Sequence, residues 1–539
     1  MIGRAVVPSS MWRRFVIAAA LALVLGSGVP AADAALERLD EREVFGFLPY
    51  WELGRANELD LDSLTTLAWF GVEAGRDGRL LREVDGEATP GWAGWTSQES
   101  TALRARAQAR GVRVVLVVER FSWTLTDKRA TKKLLRDPEA RAQLAGEIVE
   151  VVTAAGADGV NLDFEPLPAA VRSGFVRLVR ELRQALDAAD PSLQLTFDLT
   201  PDVDSFPLRR LLADGAADAA VLMGYEYRTS GSRVAGSVAP LRDPDGLDLR
   251  ESVERALARA SRDRIILALP WYGRAWSTRS DEPGSRTRKS ERYIPPSTAT
   301  YRTSVPRAAS AGRRYDREQA SAWTVYRSRS CATCPLSWRQ LWYDDVDSML
   351  AKTRFALRKG LRGVGVWALG YEGSRPDLWS ALRFGLRPWI DESPPAGRVA
   401  FASSSVIGEQ DGLPLVGPNA TLVLEATDGP DGSGVAYVRV ATRGRLAGNG
   451  RLKDGTTFPA VDSLSITLPD AGPAEDVFIP GADIDPSPAP STPPASAVAP
   501  EPVTIRVQWR DVAGNWSEPQ RLPALADTSQ LTDAPSSAS

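Results

Sequence analysis

The 539-residue chain contains no histidine. That absence excludes Ser-His-Asp and Cys-His catalysis, histidine general bases and histidine-ligated zinc together, leaving acid–base work to carboxylates, tyrosine, lysine and cysteine. Cysteine is scarce as well: Cys331 and Cys334 form a lone C-x-x-C. A structural zinc would need two further soft ligands, and no thioredoxin-type βαβ pattern surrounds the pair, which leaves a local disulfide or two free thiols. Neither a metal site nor an organic cofactor is expected. An excess of one charge is missing too. With 65 Lys and Arg against 68 Asp and Glu, the net charge of −3 gives no basic footprint, so no nucleic-acid partner is expected. The apolar run Phe15 to Gly26 is too short to cross a bilayer. It follows Arg13-Arg14 and precedes Ala32-Asp33-Ala34, the pattern of a secretory signal cut after Ala34. Residues 1–34 are expected to be that signal. The mature protein would then be secreted, extracellular or cell-wall associated, a monomer with no stable membrane insertion.

What is present is organised around Gly156-Ala157-Asp158-Gly159-Val160-Asn161-Leu162-Asp163-Phe164-Glu165-Pro166. As a strand it places Asn161, Asp163 and Glu165 on one side and Val160, Leu162 and Phe164 on the other. Helical stretches at 138–155 and 169–188 flank it, so the strand is expected to be parallel, with helices covering its apolar face and its polar face turned inward. Two carboxyls on such a face cannot both ionise easily, and one pKa must rise. The result is a carboxylic acid still protonated near neutral pH, as a general acid for acetal cleavage requires. Pro166 ends the strand, and sites of parallel α/β barrels lie at strand C-termini.

The pattern Asp158-Gly159-x-Asn161-x-Asp163-x-Glu165 resembles the D-G-x-D-x-D-x-E signature of glycoside hydrolase family 18, with Asn for Asp at 161. Further stretches resemble the same family. Glu43 to Trp51 is similar to its first barrel strand, where an aromatic such as Tyr50 lines the sugar site. Leu64 to Val72 and Val112 to Glu119 read as strands two and three, although Val118-Glu119-Arg120-Phe121 stands where many members have Ser-x-Gly-Gly. Strand five is Leu193 to Thr200. Strand six, Ala220 to Tyr227, resembles M-x-Y-D through Met223 and Tyr225, with Glu226 where Asp is usual. Ile265 to Trp276, read as strand seven, resembles P-x-Y-G-R-x-W and brings Tyr272 and Arg274. Gly363 to Gly370 carries the family's tryptophan at Trp367.

Eight strands alternating with helices predict an α/β fold, a (β/α)8 TIM barrel over residues 40–388. The segment 277–343 between strands seven and eight is too long for a plain loop and resembles the small α+β insertion of some family members. A linker at 389–395 leads to short alternating strands over 396–526. They predict a β-sandwich that resembles Ig-like repeats and holds a Pro-rich segment at 486–502; a disordered tail is expected at 527–539.

The resemblance implies a retaining glycosidase for β-1,4-linked N-acetylglucosamine polymers, chitin or peptidoglycan glycan strands. Glu165 would be the proton donor, and the nucleophile would be the substrate's own N-acetyl carbonyl, the exception this family makes to the two-carboxylate scheme. Asp163 would orient the acetamido group and Tyr225 hold its oxygen. Asn161, Met223, Glu226, Trp367, Tyr50, Tyr272 and Arg274 would line the substrate site, with Asn161 acting on Asp163 through a hydrogen bond. Asp158, of opposite parity, would fasten the start of its strand. Two alternatives stand beside this: a carbohydrate-binding protein without turnover, and an adhesion protein whose working part is the sandwich.

Overall fold

The computed structural model describes residues 42–387, 391–417, 419–429, 432–444, 456–460, 463–467 and 500–526. The signal sequence, the tail and most of the Pro-rich segment expected above lie outside them. Eight parallel strands close into a barrel: β1 (Glu43–Pro49), β2 (Thr66–Glu73), β3 (Arg113–Phe121), β4 (Gly159–Glu165), β5 (Gln194–Leu199), β6 (Ala219–Met223), β7 (Ile265–Pro270) and β8 (Gly363–Trp367). Each strand hydrogen-bonds its sequence neighbours, and β1 closes the ring against β8. Every residue of β1, β5, β6 and β7 is buried, as expected of strands between a packed interior and a ring of helices. On β4 the apolar side is sealed: Val160, Leu162 and Phe164 are at most 1% exposed. Phe164 meets Phe175 of the helix Arg172–Ala189 at 5.1 Å between ring centroids. At the β1–β8 seam a Cβ on Gly363 would lie 1.9 Å from the Glu43 carbonyl oxygen, so no side chain fits there.

The stretch Ile265–Trp276 departs from the single strand expected of it. The barrel strand ends at Pro270, and the Trp271 amide donates to the Trp367 carbonyl at 2.7 Å. Tyr272–Thr278 then starts a separate five-stranded antiparallel sheet with Ser297–Thr300, Arg314–Asp316, Ser321–Ser328 and Ser337–Tyr343. With the helix Tyr301–Ala311 this sheet forms the α+β insertion, which begins at Tyr272 rather than at residue 277. Gly273 permits the turn-out, because a Cβ there would sit 2.1 Å from the Trp342 carbonyl oxygen. Cys331 and Cys334 form a disulfide in the loop before the last of these strands.

Asp344 and Asp345, between the last strand of the insertion and the next helix, take separate roles. Asp345 is the N-cap of the helix Val346–Lys359, accepting from the Ser348 amide at 3.2 Å. Asp344 is fully buried and pairs with the equally buried Lys352 at 2.5 Å, while the Ser321 hydroxyl donates to its other oxygen at 2.7 Å.

After the helix Asp377–Leu386, a three-stranded and a six-stranded sheet share one buried cluster that includes Leu422, Leu424, Val438, Ile505 and Trp509. Tyr437 ties these sheets to the barrel side. Its hydroxyl donates to Asp345 at 2.9 Å and accepts from Arg313 at 3.0 Å, and its ring lies between the Arg313 and Arg510 guanidinium groups, each 4.5 Å away.

Candidate active site

The C-terminal ends of the barrel strands open into a cavity of about 430 Å³ lined by Tyr50, Trp51, Phe70, Glu119, Phe121, Asp163, Glu165, Met223, Tyr225, Glu226, Tyr272, Thr298, Trp367 and Tyr371. Of the residues singled out from sequence, Asp163, Glu165, Met223, Tyr225, Glu226, Tyr50, Tyr272 and Trp367 are thus brought together.

Register explains the gathering. β3 and β4 pair with Asn161 opposite Val117, Asp163 opposite Glu119 and Glu165 opposite Phe121, so alternate residues of both strands point into the barrel. Asp163 is 3% exposed, and Glu165, one step higher, reaches the open cavity. Burial, with the Glu226 charge added, pushes the Glu165 carboxyl up to about 7. Asp163 is raised well above the usual carboxylate range by burial and by Glu165, Asp198 and Glu119. Sequence reasoning attributed one raised pKa to the Asp163–Glu165 pair alone. In the structure both rise, and burial is the first cause of each.

Tyr225 lies beyond the end of β6, which stops at Met223, and not within the strand as expected; it still reaches the cavity. Its hydroxyl stays protonated far above its usual range through burial and the neighbouring Asp198. Glu226, at φ +62°, accepts from the Tyr272 hydroxyl at 2.7 Å and from Arg274 Nη2 at 2.6 Å. Arg274 therefore serves Glu226 and does not line the cavity. Trp367 meets Phe70 edge-on at 4.6 Å and Trp51 at 6.4 Å, making an aromatic wall at the cavity's side.

One expectation is corrected. Asn161 is fully buried below the cavity, and its amide nitrogen donates to Thr196 Oγ1 at 3.0 Å and Asp198 Oδ1 at 2.9 Å, not to Asp163. Its place one layer deeper in the barrel, opposite Thr196 of β5, accounts for this. Asp158 sits at the far end of β4, where it accepts from the Val114 amide at 2.7 Å and from Gln108 at 3.0 Å.

Sequence reasoning passed over Asp198 and the cavity-lining Glu119, Phe70 and Phe121. Asp198 was legible: Gln194, Thr196 and Asp198 alternate on β5 as Asn161, Asp163 and Glu165 do on β4. Glu119 was seen only as a departure from a motif. Away from the cleft, Asp391, Asp428 and Asp511 bring carboxylate oxygens within 4.8 Å of one another, a spacing that acidic groups adopt with or without an ion.

The model of the glycosyl hydrolases family 18 matches residues 83–372, more than half of the chain. The chain belongs to this family. As a family 18 member it is 28% identical over 258 residues to the putative sporulation-specific glycosylase YdhD of Bacillus subtilis, a match covering 47% of this chain and 56% of that protein. It is 23% identical over 328 residues to the cortical fragment-lytic enzyme of the same organism, covering 59% of this chain and 67% of the other. The match thus spans little more than half to two thirds of these relatives. Among solved structures, a family 18 chitinase from Cycas revoluta in complex with allosamidin superposes with a TM-score of 0.53 at 18% identity, over 64% of this chain and 99% of that one. The Bacillus cereus spore cortex-lytic enzyme SleL gives 0.50 at 18% identity, over 63% and 73%. At these identities the superpositions speak to the fold alone.

Proposed function

We propose that this family 18 chain is a glycoside hydrolase acting on polymers that contain β-1,4-linked N-acetylglucosamine, by retaining hydrolysis in which the substrate's acetamido group is the nucleophile. The observation that carries this reading is the placement of Glu165, its carboxyl pushed up to about 7 by burial, in an acidic, aromatic-walled cavity, with a second carboxyl, Asp163, one inward step below it. Glu165 gives its proton to the glycosidic oxygen as the bond to the anomeric carbon breaks, and the acetamido oxygen closes on that carbon. Asp163 accepts the acetamido N–H and balances the positive charge on the resulting oxazolinium ring. Tyr225 donates to the acetamido oxygen before attack, and its raised pKa keeps that donor present. Water then opens the ring, with Glu165, now ionised, taking its proton. Trp367 offers an indole face for the sugar.

The relatives named for sporulation and cortex lysis support peptidoglycan glycan strands as substrate, and the relatives named chitinase or di-N-acetylchitobiase support chitin oligosaccharides. Mass spectrometry of the products from purified peptidoglycan and from chitin oligosaccharides, incubated in parallel, separates the two. Release from the cell follows from the Phe15 to Gly26 run and is checked by finding the chain, starting at Ala35, in the culture medium.

A further inference from the structure

Six acidic side chains, Glu73, Glu119, Asp163, Glu165, Asp198 and Glu226, crowd the top of β2 to β6; the reading above uses only Asp163 and Glu165 directly, and Asp198 already accepts from Asn161 at 2.9 Å. Glu226 is engaged by Tyr272 and Arg274, and Glu73 on β2 by Arg120 at 2.5 Å. Glu119 is left over. It stands on β3 directly opposite Asp163, lines the cavity, and has one carboxyl oxygen, Oε2, buried with no hydrogen-bond partner. A structural acid at such a depth is normally satisfied by protein donors, because an unsatisfied buried polar group destabilises the fold. Asp163 shows the same feature through its own unpartnered Oδ1. The space for Glu119 is also built in: a Cβ on Gly71 would lie 2.5 Å from Oε2, so glycine on β2 is what lets the carboxyl stand there.

Building on the hydrolase reading, we propose that Glu119 is a substrate-contacting residue of this cleft, a protonated carboxyl that both gives and accepts hydrogen bonds to hydroxyls of the hexosamine whose glycosidic bond Glu165 cleaves. The groups facing it are Glu73 from β2, already held by Arg120, and Asp163 and Glu165 from β4; among the described residues no Lys or Arg lines the cavity. Nothing nearby therefore holds Glu119 as an anion. Burial and the charges of Glu73 and Glu165 accordingly raise its carboxyl to about 7. A neutral carboxyl sets an O–H donor beside a carbonyl acceptor, and a primary amide of the same shape sets N–H donors beside a carbonyl acceptor. Glutamine should therefore replace it, and alanine should not.

The test is calorimetric binding of chitotetraose to the full chain carrying Glu165→Gln, alone and combined with Glu119→Ala, Glu119→Gln or Gly71→Ala, at pH 5.5 and 8.5. Thermal unfolding at pH 5.5 verifies the fold of each. At pH 5.5, Glu119→Ala is expected to weaken binding about five- to tenfold, the worth of one or two hydrogen bonds. Glu119→Gln should stay within about twofold of the parent, and Gly71→Ala should follow Glu119→Ala by displacing the carboxyl without changing its chemistry. Between pH 5.5 and 8.5 the parent should lose affinity as Glu119 ionises and loses its donor, and Glu119→Gln should lose less. Unchanged binding in Glu119→Ala, or a Glu119→Gln loss as large as that of alanine, overturns the proposal and leaves the hydrolase reading intact. Hydrolysis persisting in Glu165→Gln overturns instead the mechanism proposed above, in which Glu165 is the proton donor. No chitotetraose binding by the parent overturns the proposal together with its premise.

Discussion

Glu165 depends on holding a proton that water would take from it. Its carboxyl ionises only near 7, because the cavity wall strips away solvent and Glu226 adds negative charge. Replacing it with Gln keeps the shape and removes the transferable proton, so kcat should fall about 10²- to 10⁴-fold while oligosaccharide binding persists. Rate and isothermal titration measurements on one preparation check both halves. The same residue ties activity to pH, and the alkaline limb of kcat/KM should fall off close to pH 7.

Stability moves with that proton as well. The Glu165 carboxyl binds its proton more tightly in the folded chain than at its ordinary value of 4.5. Its contribution to stability is therefore complete below about pH 4.5 and is lost as pH rises through about 7. Glu165→Gln should melt a few degrees above the parent at pH 8 and level with it at pH 4, as differential scanning calorimetry would show. From sequence, the pairing of Asp163 with Glu165 was legible because alternation along one strand is local. The environment that sets their acidity was not. Glu119, Asp198 and Glu226 reach it from three other segments, and only closure of the barrel brings them there.

Elements repeat this division between local and distant causes. The eight barrel strands were readable because each is a short buried run bounded by polar or turn residues. Ile265–Trp276 misled because its apolar and aromatic residues run on past Pro270, and what divides it is a non-local partner on each side: β8 up to Trp271, then Ser297–Thr300 and Ser337–Tyr343. The Asp344–Lys352 pair was likewise invisible as a pair. Nothing in a helix of ordinary composition announces that its lysine is sealed from solvent. Lys352→Met should cost about 3–5 kcal/mol by stranding a buried carboxylate, and adding Asp344→Leu should return part of that loss. Urea unfolding of the single and double variants measures both.

At the level of the whole molecule, the C-terminal sheets grip the barrel through Tyr437 and Arg510, which engage Arg313, Asp345 and Asp347, residues that do not line the cavity. A chain lacking residues 396–539 should hydrolyse soluble oligosaccharide at an unchanged rate. It should melt about 2–5 °C lower, having lost these charge-assisted hydrogen bonds, as assay and thermal melt together will show. The texture of this region, short strands between Gly, Asp and Pro turns, was plain in the sequence, whereas its contact with the barrel runs through side chains such as Tyr437 and Arg510 that no local pattern marks.

The wall beside the cleft is not a flap on a tether. Tyr272 follows β7 after a single residue, and the strand it begins is stitched on both edges to neighbours. On the reading proposed above, a glycan strand would meet a wall already in place before it arrives. Turnover should then owe nothing to a jaw that shuts, and raising solvent viscosity should slow the arrival of long strands without slowing the cut itself.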